Sequence, residues 1–164
     1  MKAKNLNYPL TDKLNMKVVT EMGKVAALIE EILKPMLRPH DLGLYQFRVL
    51  EALLLQGDLR IGDLTEMAHT TGGNMTVVLR KLDKAGLIAR VVDPDDGRAF
   101  NISLSKKGNS VIEKLYPEYL KQLEEKFSPL VRSERETLAT LLNKVAEPPV
   151  KETPKRRSGK SRKA

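Results

Sequence analysis

The stretch Thr70–Arg90, TTGGNMTVVLRKLDKAGLIAR, predicts a single helix from Gly72 to Ala85. Thr71 suits the N-cap, because its hydroxyl can accept a hydrogen bond from an otherwise unpaired backbone N–H of the first turn. Gly86 suits the left-handed residue that ends a helix. Between these two ends, apolar residues recur at helical spacing and form one stripe: Met75, Val78, Leu79 and Leu82.

The opposite face of this helix carries small, hydrogen-bonding and cationic residues: Gly73, Asn74, Thr76, Val77, Arg80, Lys81 and Lys84. A helix that enters the major groove of double-stranded DNA needs these residue types. Nothing bulky should lie near the backbone, Asn or Thr can contact base edges, and Arg can contact bases or phosphates. An ordinary surface helix is also polar outside, so this helix alone leaves both interpretations open.

The residues around this helix indicate a winged helix-turn-helix. A helix from Gly43 to about Gln56 and a short helix over Asp63–His69 precede it. Two β-rich runs, Leu87–Val92 and Ala99–Leu104, follow it, and a segment rich in Pro, Asp and Gly joins them as a turn. A β-hairpin directly after a helix-turn-helix is the wing of this fold.

The second β-rich run alternates as a half-buried strand does, with Phe100, Ile102 and Leu104 expected on its inner side. At the tip of the hairpin, Arg98 is a cation that could enter a narrow minor groove, and Asp96 is near enough to brace it. A plain surface turn is the alternative interpretation of this tip.

Helical patterns also flank the module, in residues 11–38 and 106–146. Apolar residues in the first of them recur at steps of three and four: Val18, Met22, Val25, Ile29, Ile32 and Met36. A capping box from Ser133 to Glu136 is expected to open the last helix. These outer helices carry more apolar surface than a compact winged helix could cover, which predicts a homodimer. A helical bundle within a monomer is the alternative.

The predicted fold is therefore mainly α with a small β-hairpin wing: a winged helix-turn-helix flanked by N- and C-terminal dimerisation helices. The expected segments are a flexible arm (1–10), an N-terminal dimerisation helix (11–38), the DNA-binding domain (42–105), C-terminal dimerisation helices (106–146) and a disordered basic tail (147–164).

Composition excludes several classes of protein. The 164 residues contain no cysteine and only two histidines, so neither a cysteine-ligated metal site nor another typical metal site is expected, and no cofactor is expected. No apolar run is long enough for a membrane span and no signal peptide is present, so the protein is expected in the cytoplasm with no membrane partner. The sequence shows no nucleophile–base pair and no phosphate-binding loop of an enzyme.

The net charge of +8 is unevenly distributed. Residues 151–164 hold seven cations and one anion, whereas residues 57–100 hold six cations and seven anions. Affinity of the module for DNA must then come from the arrangement of its charges rather than from their sum. The tail could contact phosphates beyond the site, or it could be a solvated segment that aids solubility.

Three segments together resemble the MarR-type winged-helix transcriptional regulators. LGLYQFRVLEALL (Leu42–Leu54) resembles the second helix of that family, and Thr70–Arg90 resembles its recognition helix and following strand. DDGRAFNISLS (Asp95–Ser105) resembles its wing signature, with Ser105 standing where Thr is usual. The resemblance covers residues 11–146 in element order and leaves the basic tail outside.

The resemblance implies a dimeric, sequence-specific DNA-binding regulator, a repressor that grips an inverted-repeat operator. Residues that match base- and phosphate-contacting positions of the recognition helix are Thr71, Gly73, Asn74, Thr76 and Arg80. Arg98 matches the minor-groove arginine of the wing and Asp96 matches its brace. We expect Gly73 to allow the helix backbone to approach a phosphate closely.

Two other functions stay open. The first is a sensor of the same fold in which a small aromatic acid tunes DNA binding; His40, Tyr45 and Arg48 could hold its carboxylate, or they could be structural residues. The second is a protein-interaction module that has lost operator recognition.

Overall fold

A computed structural model describes residues 9–92 and 100–146 of the chain. It confirms the mainly helical class with one two-stranded antiparallel hairpin. The elements are α1 (Leu10–Leu37), a short 3₁₀ helix (Arg38–His40), α2 (Leu44–Gln56), α3 (Ile61–Met67), α4 (Gly72–Lys84), β1 (Ile88–Val92), β2 (Phe100–Leu104), α5 (Lys106–Phe127) and α6 (Arg132–Ala146). None of the helices in the described ranges has the length and apolar character needed to cross a bilayer.

Three predictions concern residues outside the described ranges. They are the flexible arm at residues 1–8, the wing tip at residues 93–99 with Asp96 and Arg98, and the basic tail at residues 147–164. Leu10, the last residue of the expected arm, is the first residue of α1.

The chain divides into two compact units, residues 1–124 and residues 125–164. The core of the first unit is formed by the inner faces of α2, α3 and α4, the C-terminal end of α1, the hairpin and the first half of α5. Its largest fully buried side chains include Phe47, Leu50, Leu64, Met75, Leu82, Ile102 and Ile112. This core holds α4 from one side and leaves its other side in solvent.

The hairpin pairs Ile88 with Leu104 at its base and Val92 with Phe100 at its outer end. Leu59 joins it through backbone hydrogen bonds of 3.0 and 2.8 Å with Ile102. The prediction that Phe100 faces inward is wrong, because its side chain is 52% exposed. Phe100 lies at the end of the strand that is farthest from the core, and its pairing partner Val92 is exposed too. At this end no core residues cover the apolar side chains, so the alternating pattern does not lead to burial.

Two predicted helix starts are also wrong. Helix α3 begins at Ile61 rather than Asp63, because the helical hydrogen bonds already include Leu64 N–H to Arg60 O at 3.1 Å. Helix α6 begins at Arg132, and the Glu134 carboxylate accepts the Val131 N–H at 2.9 Å. This hydrogen bond is the glutamate half of a capping box, two residues earlier than the expected one, and Val131 has no side-chain oxygen to supply the other half.

Candidate nucleic-acid interface

Helix α4 begins at Gly72 as its sequence predicts and ends at Lys84, one residue before the predicted Ala85. Thr71 Oγ1 accepts the backbone N–H of Asn74 at 3.3 Å, which makes it the N-cap. Gly86 has a φ of 68°, in the left-handed region that glycine tolerates best. The apolar stripe is buried throughout, and Met75 and Leu82 have no exposed surface. Burial of one side fixes the rotation of the helix about its axis, so the opposite side must face solvent.

The predicted contact residues of α4 lie together on that solvent side. Gly73, Thr76 and Arg80 are exposed and Asn74 is half-buried. The hydroxyl of Thr76 donates to Gly72 O at 3.0 Å, which leaves its oxygen lone pairs available as acceptors. The face therefore offers an amide, a hydroxyl and a guanidinium within about two helical turns, the types that read base edges and phosphates.

Neither glycine at the start of α4 is required by its contacts with the described residues. A Cβ added to Gly72 or Gly73 would meet no atom within 4 Å, and neither residue is in the left-handed region. Glycine lowers helix stability relative to alanine, by up to about 1 kcal/mol in a helix interior and less in the first turn. Packing within the chain does not account for glycine at these two positions.

Two residues of this surface were not predicted to make contacts. Val77 is 45% exposed in the middle of the polar face, where its methyl groups can contact the C5-methyl of a thymine. Thr70, just before the cap, accepts a hydrogen bond from the Asn74 amide at 2.7 Å. The signal for Thr70 was its position four residues before Asn74, since residues so spaced are neighbours on one helical turn.

The far end of α4 is tied to the start of α5. Ser105 Oγ donates to Gly86 O at 2.7 Å, and Lys107 Nζ donates to Ala85 O at 2.8 Å. A lysine ammonium at a helix C-terminus also interacts favourably with the helix dipole. The recognition helix is thus linked to α5 by side chains as well as through the hairpin.

Gly108 makes this junction possible. A Cβ at Gly108 would clash with the backbone carbonyl of Leu87, which itself accepts the Ser105 N–H at 3.1 Å. The Gly108 N–H donates to Ser105 Oγ at 2.9 Å, which caps α5. Close approach of α5 to the start of β1 therefore requires glycine here.

Residues 93–99 connect the two strands of the hairpin in the sequence. Its five paired residues on each strand are described up to the pair Val92 and Phe100. Asp96 and Arg98, the predicted minor-groove residues, lie outside the described ranges, and their roles stay predictions.

A cavity of about 260 Å³ lies within the first unit, lined by Arg48, Glu51, Ala52, Leu55, Met67, His69 and Tyr119. Arg48 Nη1 donates to Ala68 O at 3.4 Å, so it spans from α2 to the turn before α4. Burial raises the pKa of Glu51 above its usual value, although Arg48 opposes the shift. Burial, and next the Glu51 carboxylate, raise the pKa of the Tyr119 phenol.

The three predicted ligand-binding residues are not all in this cavity. Arg48 lines it, whereas His40 in the 3₁₀ helix and Tyr45 at the start of α2 are exposed and are not among the lining residues. His69, which does line it, has a φ of 48° in the turn between α3 and α4. A molecule in this cavity would therefore contact the turn that positions α4.

Comparison with known proteins agrees with this geometry. A sequence model of the MarR family matches residues 40–99. The HTH-type transcriptional regulator YkoM of Bacillus subtilis (strain 168) is 32% identical over 107 residues, which cover 65% of this chain and 70% of that protein.

Two solved structures share the fold. A mutant MarR from E. coli, complexed with operator DNA, has a TM-score of 0.70 and 23% identity, with 85% of this chain and 100% of that chain covered. Bordetella bronchiseptica BpsR, whose DNA binding is regulated by 6-hydroxynicotinic acid, has a TM-score of 0.69 and 22% identity, with 87% and 99% covered.

Proposed function

The chain belongs to the MarR family of transcriptional regulators, and we propose that it is a homodimeric repressor that binds an inverted-repeat operator. In each subunit α4 lies in a major groove and the wing reaches the neighbouring minor groove through Arg98, braced by Asp96. The two recognition helices contact grooves about one helical turn, roughly 10 bp, apart. The family to which the chain belongs consists of transcriptional regulators and not of enzymes. We propose the cytoplasm as the place where this regulator acts on DNA.

The observation that carries this proposal is the surface of α4. Gly73, Asn74, Thr76 and Arg80 share the solvent side of a helix whose other side is buried. The glycine costs helix stability and has open space around it within residues 9–92 and 100–146, so we attribute its advantage to something outside the subunit. Close approach of the helix N-terminus to a DNA phosphate supplies that advantage, because backbone N–H groups and the helix dipole both favour an anion there.

Dimerisation is supported by uncovered apolar surface in both units. Along α1 the side chains of Leu14, Val18, Met22 and Val25 form an exposed stripe. In α6 apolar residues are exposed at Leu138, Leu141, Leu142 and Val145. Contiguous apolar surface of this kind is characteristic of a protein interface, and the proposed occupant is a second copy of the chain. A twofold-symmetric dimer also matches an inverted repeat.

Repression follows from the same arrangement by simple occlusion, since a dimer seated on an operator excludes other proteins from that DNA. The basic tail, with seven cations in residues 151–164, would add phosphate contacts outside the operator. Deletion of the gene should raise the transcript whose promoter carries the operator. A fall in that transcript would assign the protein as an activator instead.

The decisive experiment measures binding by fluorescence anisotropy to the DNA that flanks the gene for this protein. The wild type should bind one segment much more tightly than scrambled DNA, with affinity that falls steeply as salt rises. Gly73→Ala should weaken operator binding by about tenfold, because the new methyl group blocks the approach to the phosphate.

Gly62→Ala is the matched control. Gly62 is also the second residue of its helix, and a Cβ added there would likewise meet no atom within 4 Å, so the change in helix propensity is the same. Equal DNA affinity of Gly73→Ala and Gly62→Ala would refute close approach. Absence of any preferred segment would refute operator recognition and favour a protein-interaction module.

A second candidate function is regulation by a small aromatic acid, which the cavity beside α2 favours. Arg48 supplies a cation for a carboxylate, and Met67, Leu55 and Tyr119 supply apolar or aromatic surface. The similar fold of BpsR, which is regulated by 6-hydroxynicotinic acid, supports this class of ligand. The turn that contains His69 connects the cavity to α4. If a ligand lowers the affinity for DNA, thermodynamic linkage requires that DNA lower the affinity for the ligand by the same factor.

The Glu51 carboxylate gives this candidate a pH test. An ionised Glu51 repels an anionic ligand, and because burial raises its pKa, lowering the pH protonates it earlier than an ordinary carboxyl. Salicylate and 6-hydroxynicotinic acid should therefore bind more tightly as the pH falls through the raised pKa of Glu51, and this gain should begin at a higher pH than an ordinary carboxyl would give.

Glu51→Gln should tighten binding at neutral pH and flatten this dependence, measured by calorimetry, whereas Glu113→Gln at an exposed position on α5 should change neither. The ligand proposal fails if neither acid binds, or if bound acid leaves operator affinity unchanged.

A further inference from the structure

The side chain of Asn74 is held by a neighbouring threonine. Its Nδ2 donates to Thr70 Oγ1 at 2.7 Å, and both residues are half-buried. Thr70 lies in the turn before α4, where its backbone N–H donates to Thr65 O at 3.1 Å. The turn therefore anchors Thr70 to α3, and Thr70 in turn anchors the Asn74 amide.

The two adjacent threonines have different partners. Thr71 Oγ1 accepts the backbone N–H of Asn74, the ordinary work of an N-cap. Thr70 Oγ1 instead accepts from the side chain of the same residue. Helix initiation needs only the first of these hydrogen bonds, so the second calls for a separate explanation.

The hydrogen-bonding groups that Asn74 has left are the ones that recognise adenine. A carboxamide has two N–H donors and one carbonyl acceptor, and Thr70 takes one donor. Within residues 9–92 and 100–146, the structure shows no hydrogen bond to the second N–H or to Oδ1. In the major groove an Asn binds adenine by accepting from N6 at Oδ1 and donating to N7 from Nδ2.

Orientation of the amide decides whether that pair can form. The terminal torsion of Asn is broad, so an unsupported amide samples many orientations. If the amide is already held in one orientation before DNA binds, less side-chain conformational entropy is lost when the contact forms. A hydrogen bond from the amide to a residue in an anchored turn does this without using the groups needed for the base.

We propose that Thr70 is a positioning residue that presets Asn74 to read an adenine at one position of each operator half-site. This inference rests on the proposed function, because it requires α4 in the major groove. Beyond that function, the inference names adenine as the base that is read, and it assigns to Thr70 a role in specificity that acts through the side chain of Asn74.

The experiment selects binding sites from randomised duplex DNA with the full-length wild type and the variants Thr70→Val, Thr70→Ser and Asn74→Ala. The wild type and Thr70→Ser, which keeps the hydroxyl, should both prefer adenine at one position per half-site. Asn74→Ala should lose that preference. Thr70→Val, which keeps the shape and the backbone N–H, should lower it by about two- to tenfold and leave the other positions unchanged.

Thr65→Val is the matched control. It makes the same hydroxyl-to-methyl change in α3, where Thr65 Oγ1 donates to Ile61 O at 2.7 Å rather than bonding to Asn74. This variant should keep the wild-type base profile. Melting temperatures of all variants are measured beside the profiles, so that loss of folding is seen separately.

The inference is overturned by a Thr70→Val profile identical to that of the wild type. A loss spread evenly over all positions, or a Thr70→Ser profile as weak as that of Thr70→Val, also overturns it. If the wild type selects no sequence at all, the proposed function itself has failed; if it selects one that Asn74→Ala leaves unchanged, only the adenine contact has failed.

Discussion

Helices α1 and α4 both carry an apolar stripe at helical spacing, yet they use it in opposite ways. The stripe of α4 lies wholly in the core, where Met75 and Leu82 have no exposed surface. The N-terminal two-thirds of α1 leave theirs uncovered, and Leu14 is 59% exposed and Met22 40%. Where the stripe is buried, the polar face is free to bind DNA; where it is exposed, the apolar face is itself the candidate binding surface.

The same helix can change its role along its length. At its C-terminal end α1 joins the core through Ile32, Leu33 and Leu37, which are buried. The part of α1 that precedes them leaves its apolar stripe uncovered by the described residues of the first unit. Amphipathic spacing therefore predicts that a helix has an apolar partner. It does not say whether that partner belongs to the same subunit.

The largest expected effect is on the free energy of unfolding, and it is tested by one truncation in the apolar stripe of each helix. Leu82→Ala should lower the free energy of unfolding by about 2–5 kcal/mol at every protein concentration, because it leaves a cavity in the core. Leu14→Ala should change it by less than about 0.5 kcal/mol in dilute monomer and by more when the chain is concentrated enough to dimerise. Urea unfolding over a range of protein concentrations measures both. A loss from Leu14→Ala that is the same at all concentrations would mean that its own subunit already covers this stripe.

The next effect concerns assembly. Met22→Glu should raise the dimer dissociation constant by about 100-fold or more, because a twofold interface would bury two unpaired carboxylates. Thr20→Glu introduces the same charge on the opposite side of α1 and should leave the dimer intact. Sedimentation equilibrium distinguishes them, and a Met22→Glu protein that dimerises like the wild type would remove α1 from the proposed interface.

A smaller effect is expected from single cations on the two helices. Arg80→Ala on α4 should cost about 1–3 kcal/mol of operator binding, and if Arg80 contacts a phosphate the salt slope should fall by about one. Lys24→Ala on α1 removes an exposed cation of similar reach, one that pairs with Glu21 at 2.9 Å, and should leave both quantities unchanged. Operator affinity measured at several salt concentrations tests this, and equal effects of the two changes would indicate general charge attraction only.

The smallest effect compares two exposed valines. Val77→Ala should weaken operator binding by about fourfold, the value of one or two lost methyl contacts, and should abolish the difference between thymine and deoxyuridine at one position. Val25→Ala on α1 should preserve that difference, since it lies on the proposed dimer face. Anisotropy with operators that carry single deoxyuridine substitutions measures it; discrimination that survives in Val77→Ala would exclude the methyl contact.

Much of α4 was predictable because the determinants are local. The Thr71 cap, the Gly86 stop and the buried stripe each depend on residues within one or two turns, and the structure confirms all three. The predicted start of α2 at Gly43 is also close, because Gly43 is the N-cap of this helix and its N–H donates to Gln46 Oε1 at 2.7 Å.

Contacts between distant residues were not predictable in this way. The hydrogen bond from Ser105 to Gly86, nineteen residues earlier, depends on how the hairpin returns the chain. The clash that reserves Gly108 for glycine arises from Leu87 on the other side of the same return. The cavity joins the predicted Arg48 to His69 and Tyr119, which lie far from it in sequence; no local pattern relates these three residues, so the prediction of His40 and Tyr45 missed the lining.

The sequence alone determined the helices, the hairpin and their order, together with the family, because caps, turns and apolar spacing act over a few residues. The tertiary structure decided which apolar stripe is covered, which face of α4 stays in solvent and which residues line the cavity beside α2. Those outcomes depend on how whole elements pack, since burial of one face is what exposes another, and no local pattern records which surfaces meet.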